Sequence, residues 1–314
     1  MISYMAKILS LTQMEKMANT IRQDIIKMLL KAGSGHSAGS LGMADVFTAL
    51  YFGGVIKHNP KKPNLTDRDR VVLSNAHICP VHYATLARAG YFPVTKLSTL
   101  RKLGSPLQGH SHRGGLPGIE NSGGPIAHGT SMAVGMAYAA RYLSSLSEQT
   151  GGPSSEKLEN LRMSDRPGRP AYQVYCLVGD GGQDEGQMWE SIMFAAKYKL
   201  DNLTYIMDRN NIQIDGYTED VMPLEPLKDK YEAFNWHVLE VDGHNIEAIV
   251  DAINEAKAVF GRPVMIICHT IPGKGVDFIE WKYGWHGRTP KPEEARKALH
   301  QLRTLGGKIK SEHE

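Results

Sequence analysis

At 314 residues the chain exceeds the usual ~100–200 residues of a domain, yet a large α/β fold occupies such a length as one unit, and a single domain over 1–314 is expected. With 41% hydrophobic and 22% charged residues and a net charge of +3, it has no apolar run near the ~18 residues of a membrane span and no basic stripe interleaved with aromatics, so neither membrane nor nucleic acid is an expected partner. Three widely spaced cysteines, Cys79, Cys176 and Cys268, read as buried thiols and not as a disulfide framework, and an N-terminus without a signal-peptide pattern predicts a cytoplasmic protein.

Over residues 11–31, Met14, Met17, Ala18, Ile21, Ile25, Met28 and Leu29 recur at helical spacing and predict an amphipathic helix. Gly33, Gly35 and Gly39 break it and a second helical pattern covers 42–51, so SGHSAGS reads as a flexible turn presenting His36. RVVLS at 70–74 reads as a buried strand, and Pro80 is placed to open the following helix. Residues 75–79 then form a strand-to-helix crossover carrying His77, at the strand end where open α/β sheets bind ligands. The stretch 107–129, rich in Gly, His, Ser and Pro, is longer than ordinary connections and predicts a functional loop, followed by a helix over 130–146. Residues 144–170 are too poor in apolar side chains to hold a core and read as an exposed polar excursion. Beyond it, strands are predicted at 172–178, 203–207, 236–241 and 264–268, with helices at 187–198 and 245–260. That alternation predicts a three-layer α/β fold, a mostly parallel sheet flanked by helices on both faces.

The densest chemistry follows the strand YQVYCLV, where Gly179, Asp180, Gly181 and Gly182 lead through Gln183, Asp184 and Glu185 into a helix. Glycines in such a turn let the backbone approach a diphosphate, and a helix N-terminus supplies free N–H groups. Taken alone, Asp180 reads better as a helix cap and Asn210 as a turn residue. A second turn, Asp208-Arg209-Asn210-Asn211-Ile212, closes the next strand thirty positions beyond Asp180, so adjacent parallel strands would bring Asp180 and Asn210 together as oxygen ligands for one Mg2+.

These two turns, with SGHSAGSLGMAD, DRVVLSNAHICP, QGHSHR, GPIAHGTSMAVGMA and TIPGKGVDFIEWKYGWHG in order over nearly the whole chain, resemble the N-terminal half of transketolase. The resemblance implies thiamine diphosphate as cofactor, bound through Mg2+ (Ca2+ or Mn2+ as substitutes) by Asp180, Asn210 and the carbonyl of Ile212. It implies cofactor contacts from His77, Gly124, Ile126, Gly179 and Gly181, and substrate-channel histidines His36, His110 and His286. Glu185 resembles a buried glutamate linking the two cofactor sites of the dimer. The implied activity is transfer of a two-carbon ketol unit between sugar phosphates. A full-length transketolase continues into pyrimidine-binding and C-terminal domains, so the resemblance implies a separate C-terminal subunit in an α2β2 assembly. The family's GPLGQG stands here as Gly124-Pro125-Ile126-Ala127-His128-Gly129 and its GHG as Ala76-His77-Ile78, extra methyl groups that are expected to shift loop backbone. His110, His112 and His128 lack the regular spacing and cysteine support of a zinc site. Two other readings stay open, the α subunit of a 2-oxo acid dehydrogenase component and a non-catalytic thiamine diphosphate-binding protein, with the SGH and WHG histidines favouring transketolase.

Overall fold

The computed structural model describes residues 8–150 and 170–304. Helix α1 (Leu11–Ala32) opens on a reciprocal capping box: the Gln13 amide N–H donates to Ser10 Oγ and the Ser10 N–H to Gln13 Oε1. It ends at Gly33 in the left-handed region, φ 72°. Its predicted stripe packs inward, Ala18, Ile21, Ile25 and Leu29 being fully buried.

The turn read as flexible is more ordered than that. Ala38–Gly42 forms a short helix α2, which passes through Met43 into α3 (Ala44–Phe52). Two serines fix it: Ser40 Oγ donates to the His36 carbonyl at 2.9 Å, and Ser37 Oγ to the Arg288 carbonyl at 2.6 Å. Strand β1 (Arg70–Leu73) leads through a 3-10 turn at Ala76–Ile78 into α4 (Cys79–Ala89), with Pro80 in its first turn as expected.

The long loop ends where α5 (His128–Thr150) begins. Residues 144–150, assigned to the polar excursion, continue this helix, since none of them is glycine or proline; 151–169 lie outside the described residues. There follow β2 (Val174–Gly179), α6 (Gly186–Lys197), β3 (Leu203–Arg209), the short α7 (Thr218–Val221) and α8 (Leu227–Ala233), β4 (His237–Asp242), α9 (Ile246–Ala258), β5 (Val264–His269) and α10 (Pro292–Thr304).

All pairings among these strands are parallel, in the order β1-β2-β3-β5-β4. Successive strand residues serve opposite faces: Tyr175 and Leu177 join the core beneath α1, α3, α4 and α9, while Val174, Cys176 and Val178 join the one beneath α5, α6 and α8. In the second core Trp236 packs on Tyr205, ring centroids 4.7 Å apart, and donates its Nε1–H to the Ile192 carbonyl at 3.1 Å. A parallel sheet buried on both faces puts every C-terminal strand end along one edge.

Candidate active site

That edge gathers the two turns singled out in the sequence. Gly179 of β2 lies opposite Asp208 of β3, so the residues after them emerge side by side. Asp180 is 2% exposed and Asn210 4%. The Asp180 carboxylate accepts the Gly181 N–H on Oδ1 at 2.8 Å and the Asn211 N–H on Oδ2 at 2.7 Å, which joins the turns directly. Asn211 takes the left-handed conformation, φ 61°, which asparagine tolerates, and so folds the chain back over Asp180. Burial lifts the Asp180 carboxyl above its ordinary range, opposed by the Arg209 guanidinium beside it.

The Asn210 amide is oriented by its neighbours. Its Nδ2 donates to Asp208 Oδ2 at 2.8 Å, and Oδ1 accepts the Ile212 N–H at 3.1 Å. Thr270 Oγ donates to the other Asp208 oxygen at 2.5 Å. Burial pushes the Asp208 carboxyl up to about 7, the Thr270 hydrogen bond opposing and the nearby Asp180 charge adding to the rise. Helix α2 reaches these side chains because residue 39 is glycine: a Cβ there would stand 2.9 Å from Ile78 Cγ2 and 3.3 Å from Asp208 Oδ2.

The turn after Asp180 departs from expectation. A 3-10 turn, Gly181–Asp184, separates Asp180 from α6, so the Gly181 N–H that meets the carboxylate belongs to that turn and not to the α-helix N-terminus. Glu185, expected to be buried, is half-buried at the start of α6, where its Oε2 accepts the Ala127 N–H at 3.3 Å. Ile126 packs its Cγ2 over Gly182 and accepts a hydrogen bond on its carbonyl from Ser74 Oγ. Gly124 has open space where a Cβ would project. His128, at the departure from the family's glutamine, is exposed, and Ala127 is fully buried. The extra methyl of Ala76 is accommodated because Gly123 faces it without a side chain; a Cβ there would overlap it at 2.0 Å. Ile78 is taken up by the core.

Four histidines from four segments converge. The His36 ring lies 5.1 Å from His77, 5.6 Å from His286 and 6.3 Å from His110, and His77 lies 5.0 Å from His286. Ser37 draws the SGH segment onto the WHG turn through the Trp285 and Arg288 carbonyls. Burial, then the neighbouring His286, Arg101 and His110, lowers His36 to about 4. Burial first also depresses His77, His110 and His286. All four are therefore neutral at pH 7, each with one nitrogen free to accept and one to donate. Nδ1 of His36 and of His286 is buried with no partner.

Two residues escaped the sequence reading. Asn75, fully buried at the end of β1 and facing Gly179, has no partner for either amide atom; the SNAHICP motif that contains it was its only signal. Arg101 lies across Gly109 and Gly35, donating to the Gly109 carbonyl and Ser34 Oγ, both at 3.4 Å, and so spans the segments bearing His110 and His36. It belongs to no motif and had no signal. Buried hard oxygens of Asp180 and Asn210 fit a divalent cation, and the unpartnered amide and imidazole atoms fit a polar ligand at the same edge.

A sequence model of the family described as transketolase, thiamine diphosphate binding domain, matches residues 13–306. A 6-deoxy-6-sulfo-D-fructose transketolase subunit of Clostridium sp. (strain MSTE9) is 40% identical over 93% of this chain and 97% of its own. One of the apulose-4-phosphate transketolase subunits, that of Phocaeicola vulgatus, is 36% identical over 93% of this chain and 94% of its own. The solved structure of transketolase from Leishmania mexicana superposes with a TM-score of 0.82 at 32% identity; the match covers 94% of this chain but 42% of that longer one.

Proposed function

The chain belongs to the transketolase family, matched across its thiamine diphosphate-binding domain, and from that premise we propose that it is the N-terminal subunit of a two-subunit transketolase. The family match displaces the 2-oxo acid dehydrogenase reading. In our reading the subunit binds thiamine diphosphate through a divalent ion, Mg2+ with Ca2+ or Mn2+ as substitutes, on Asp180, Asn210 and the Ile212 carbonyl. The observation that carries this is the direct hydrogen bond between the two turns, 2.7 Å from the Asn211 N–H to Asp180 Oδ2. It makes the oxygen ligands parts of one rigid edge.

When bound, thiamine diphosphate supplies the nucleophilic carbon for ketol transfer. The chain's own residues then divide the remaining work. Gly179, Gly181, Gly124, Ile126 and His77 would hold the cofactor, Gly181 and His77 at its diphosphate. His36, His110 and His286, neutral at pH 7, accept and return the protons of substrate hydroxyls, and their burial keeps them from being trapped as cations. Glu185 links the two sites of an α2β2 assembly. The C-terminal subunit supplies what lies beyond the 42% of the longer enzyme that this chain spans. We propose sugar phosphates as substrates, in keeping with the apulose 4-phosphate named for the Phocaeicola vulgatus protein. Three free, buried thiols fit a reducing compartment, and we place the protein in the cytoplasm.

Calorimetry tests the cofactor assignment. Thiamine diphosphate should bind in the presence of Mg2+, and Asp180→Ala should abolish that metal-dependent binding, because the diphosphate then lacks a fixed counter-charge. Unchanged affinity sinks the metal assignment. Ketol transfer should appear only when the complementary subunit is added, and full activity of the chain alone would overturn the two-subunit reading.

A further inference from the structure

Between Asp208 and the proposed ligand Asn210 the turn carries a cation. Arg209 is 4% exposed and bridges three carboxylates: Nη1 donates to Asp180 Oδ2 at 3.3 Å, and Nη2 to Glu219 Oε1 at 2.8 Å and to Glu225 Oε1 at 2.9 Å. Asp180 is buried, whereas both glutamates are substantially exposed, so the guanidinium runs from the cofactor edge to the surface. The glutamates are not free ends. Glu219 accepts the Leu224 N–H on both oxygens, and Glu225 Oε2 accepts the Leu227 N–H. The segment they hold, residues 211–227, also returns to Asp180 through Thr218, whose N–H donates to the Asn211 carbonyl at 3.0 Å and whose hydroxyl lies 3.5 Å from Asp180 Oδ2.

A guanidinium against a carboxylate that ligates a dication is, taken alone, unfavourable: it competes for the same oxygen and repels the metal. Glu219 and Glu225 remove that conflict by sharing the charge and drawing the arginine outward. We infer that Arg209 is a positioning residue that couples the surface carboxylates Glu219 and Glu225 to the metal ligand Asp180, so that the state of the 217–225 segment sets the metal affinity of the cofactor site. The inference rests on the proposed role of Asp180. In chemical terms, whatever holds Glu219 and Glu225 against Arg209 favours metal uptake, and whatever draws them away lets Arg209 close on Asp180 and disfavours it.

The test is a cycle of variants read by calorimetric Mg2+ titration at saturating thiamine diphosphate, with circular dichroism to check folding. Glu219→Gln with Glu225→Gln alters only exposed carboxylates, yet it should raise the Mg2+ half-saturation by about tenfold, the size expected of a unit charge left uncompensated near a dication. In an Arg209→Met background the same two substitutions should change nothing, because the link is gone. An effect of equal size in both backgrounds would mean that the glutamates act on the metal directly through space and would overturn the inference. So would an unchanged half-saturation in the Glu219→Gln, Glu225→Gln chain while the unsubstituted chain binds normally. Absence of Mg2+-dependent uptake by the unsubstituted chain is the separate result that removes the Asp180 assignment itself, and the coupling with it.

Discussion

At the scale of single residues, the histidine cluster is the feature most exposed to test. Burial holds His36 at about 4 against an ordinary 6.5. Between those values an unfolded chain takes up a proton at this position and the folded chain does not, so the His36 contribution to stability is complete above pH 6.5 and is lost as pH falls toward about 4. Total stability does not isolate this effect, since Asp208, lifted to about 7 mainly by burial, contributes with the opposite sign over much of that window. The difference between the chain and His36→Gln cancels the carboxylates. That difference, from urea denaturation at several pH values, should be flat above pH 6.5 and should shift in favour of the variant below it. A flat difference down to pH 4.5 would show that His36 is not held neutral by the fold.

Among elements, the placement of α2 depends on a buried ionic network beneath it. Arg22 of α1 donates from Nη1 and Nη2 to the two Asp45 oxygens of α3, and from Nε to the Leu41 carbonyl at 3.0 Å. Asp45 Oδ2 also meets His244 Nδ1 at 2.8 Å, and His244 Nε2 accepts the Ile271 N–H at 2.7 Å. Burial alone would raise the Asp45 carboxyl, but Arg22 and His244 override it and hold it at about 2. Arg22→Met should therefore strand a buried carboxylate and destabilise the fold by about 3–5 kcal/mol in denaturant titration. A loss below about 1 kcal/mol would place the pair among ion pairs that contribute little. Little of this network was legible in the sequence, because Arg22, Asp45 and His244 sit far apart with no spacing to relate them. The strands bearing Asp180 and Asn210 were legible, since a glycine-rich turn and an Asx turn each close an apolar run of strand length. Helix α2 was not, because glycines at 35 and 39 argue for a turn; Gly39 instead admits close packing on Asp208 and Asn210. The short α7 and α8 carry too few turns for a helical period to register.

For the whole molecule, the decisive fact is that β2 and β3, which carry Asp180 and Asn210, are interior strands of a parallel sheet buried on both faces. Neither turn can open without disturbing the sheet, so a ligand that ties their tips together is coupled to global unfolding and not to local fraying. Ligand that binds only the folded chain stabilises it by about 2.7 kcal/mol at a hundredfold excess over Kd. For a chain of this size that corresponds to a rise in Tm of roughly 4 °C. On the proposal that a dication holds the diphosphate, the rise should require thiamine diphosphate and Mg2+ together, should vanish on chelation, and should be absent in Asp180→Ala. An equal rise with thiamine diphosphate alone would mean that the amides and His77 bind the diphosphate without metal. If neither component nor their mixture moved Tm, the strand tips would not be the binding site, however well their oxygens are placed.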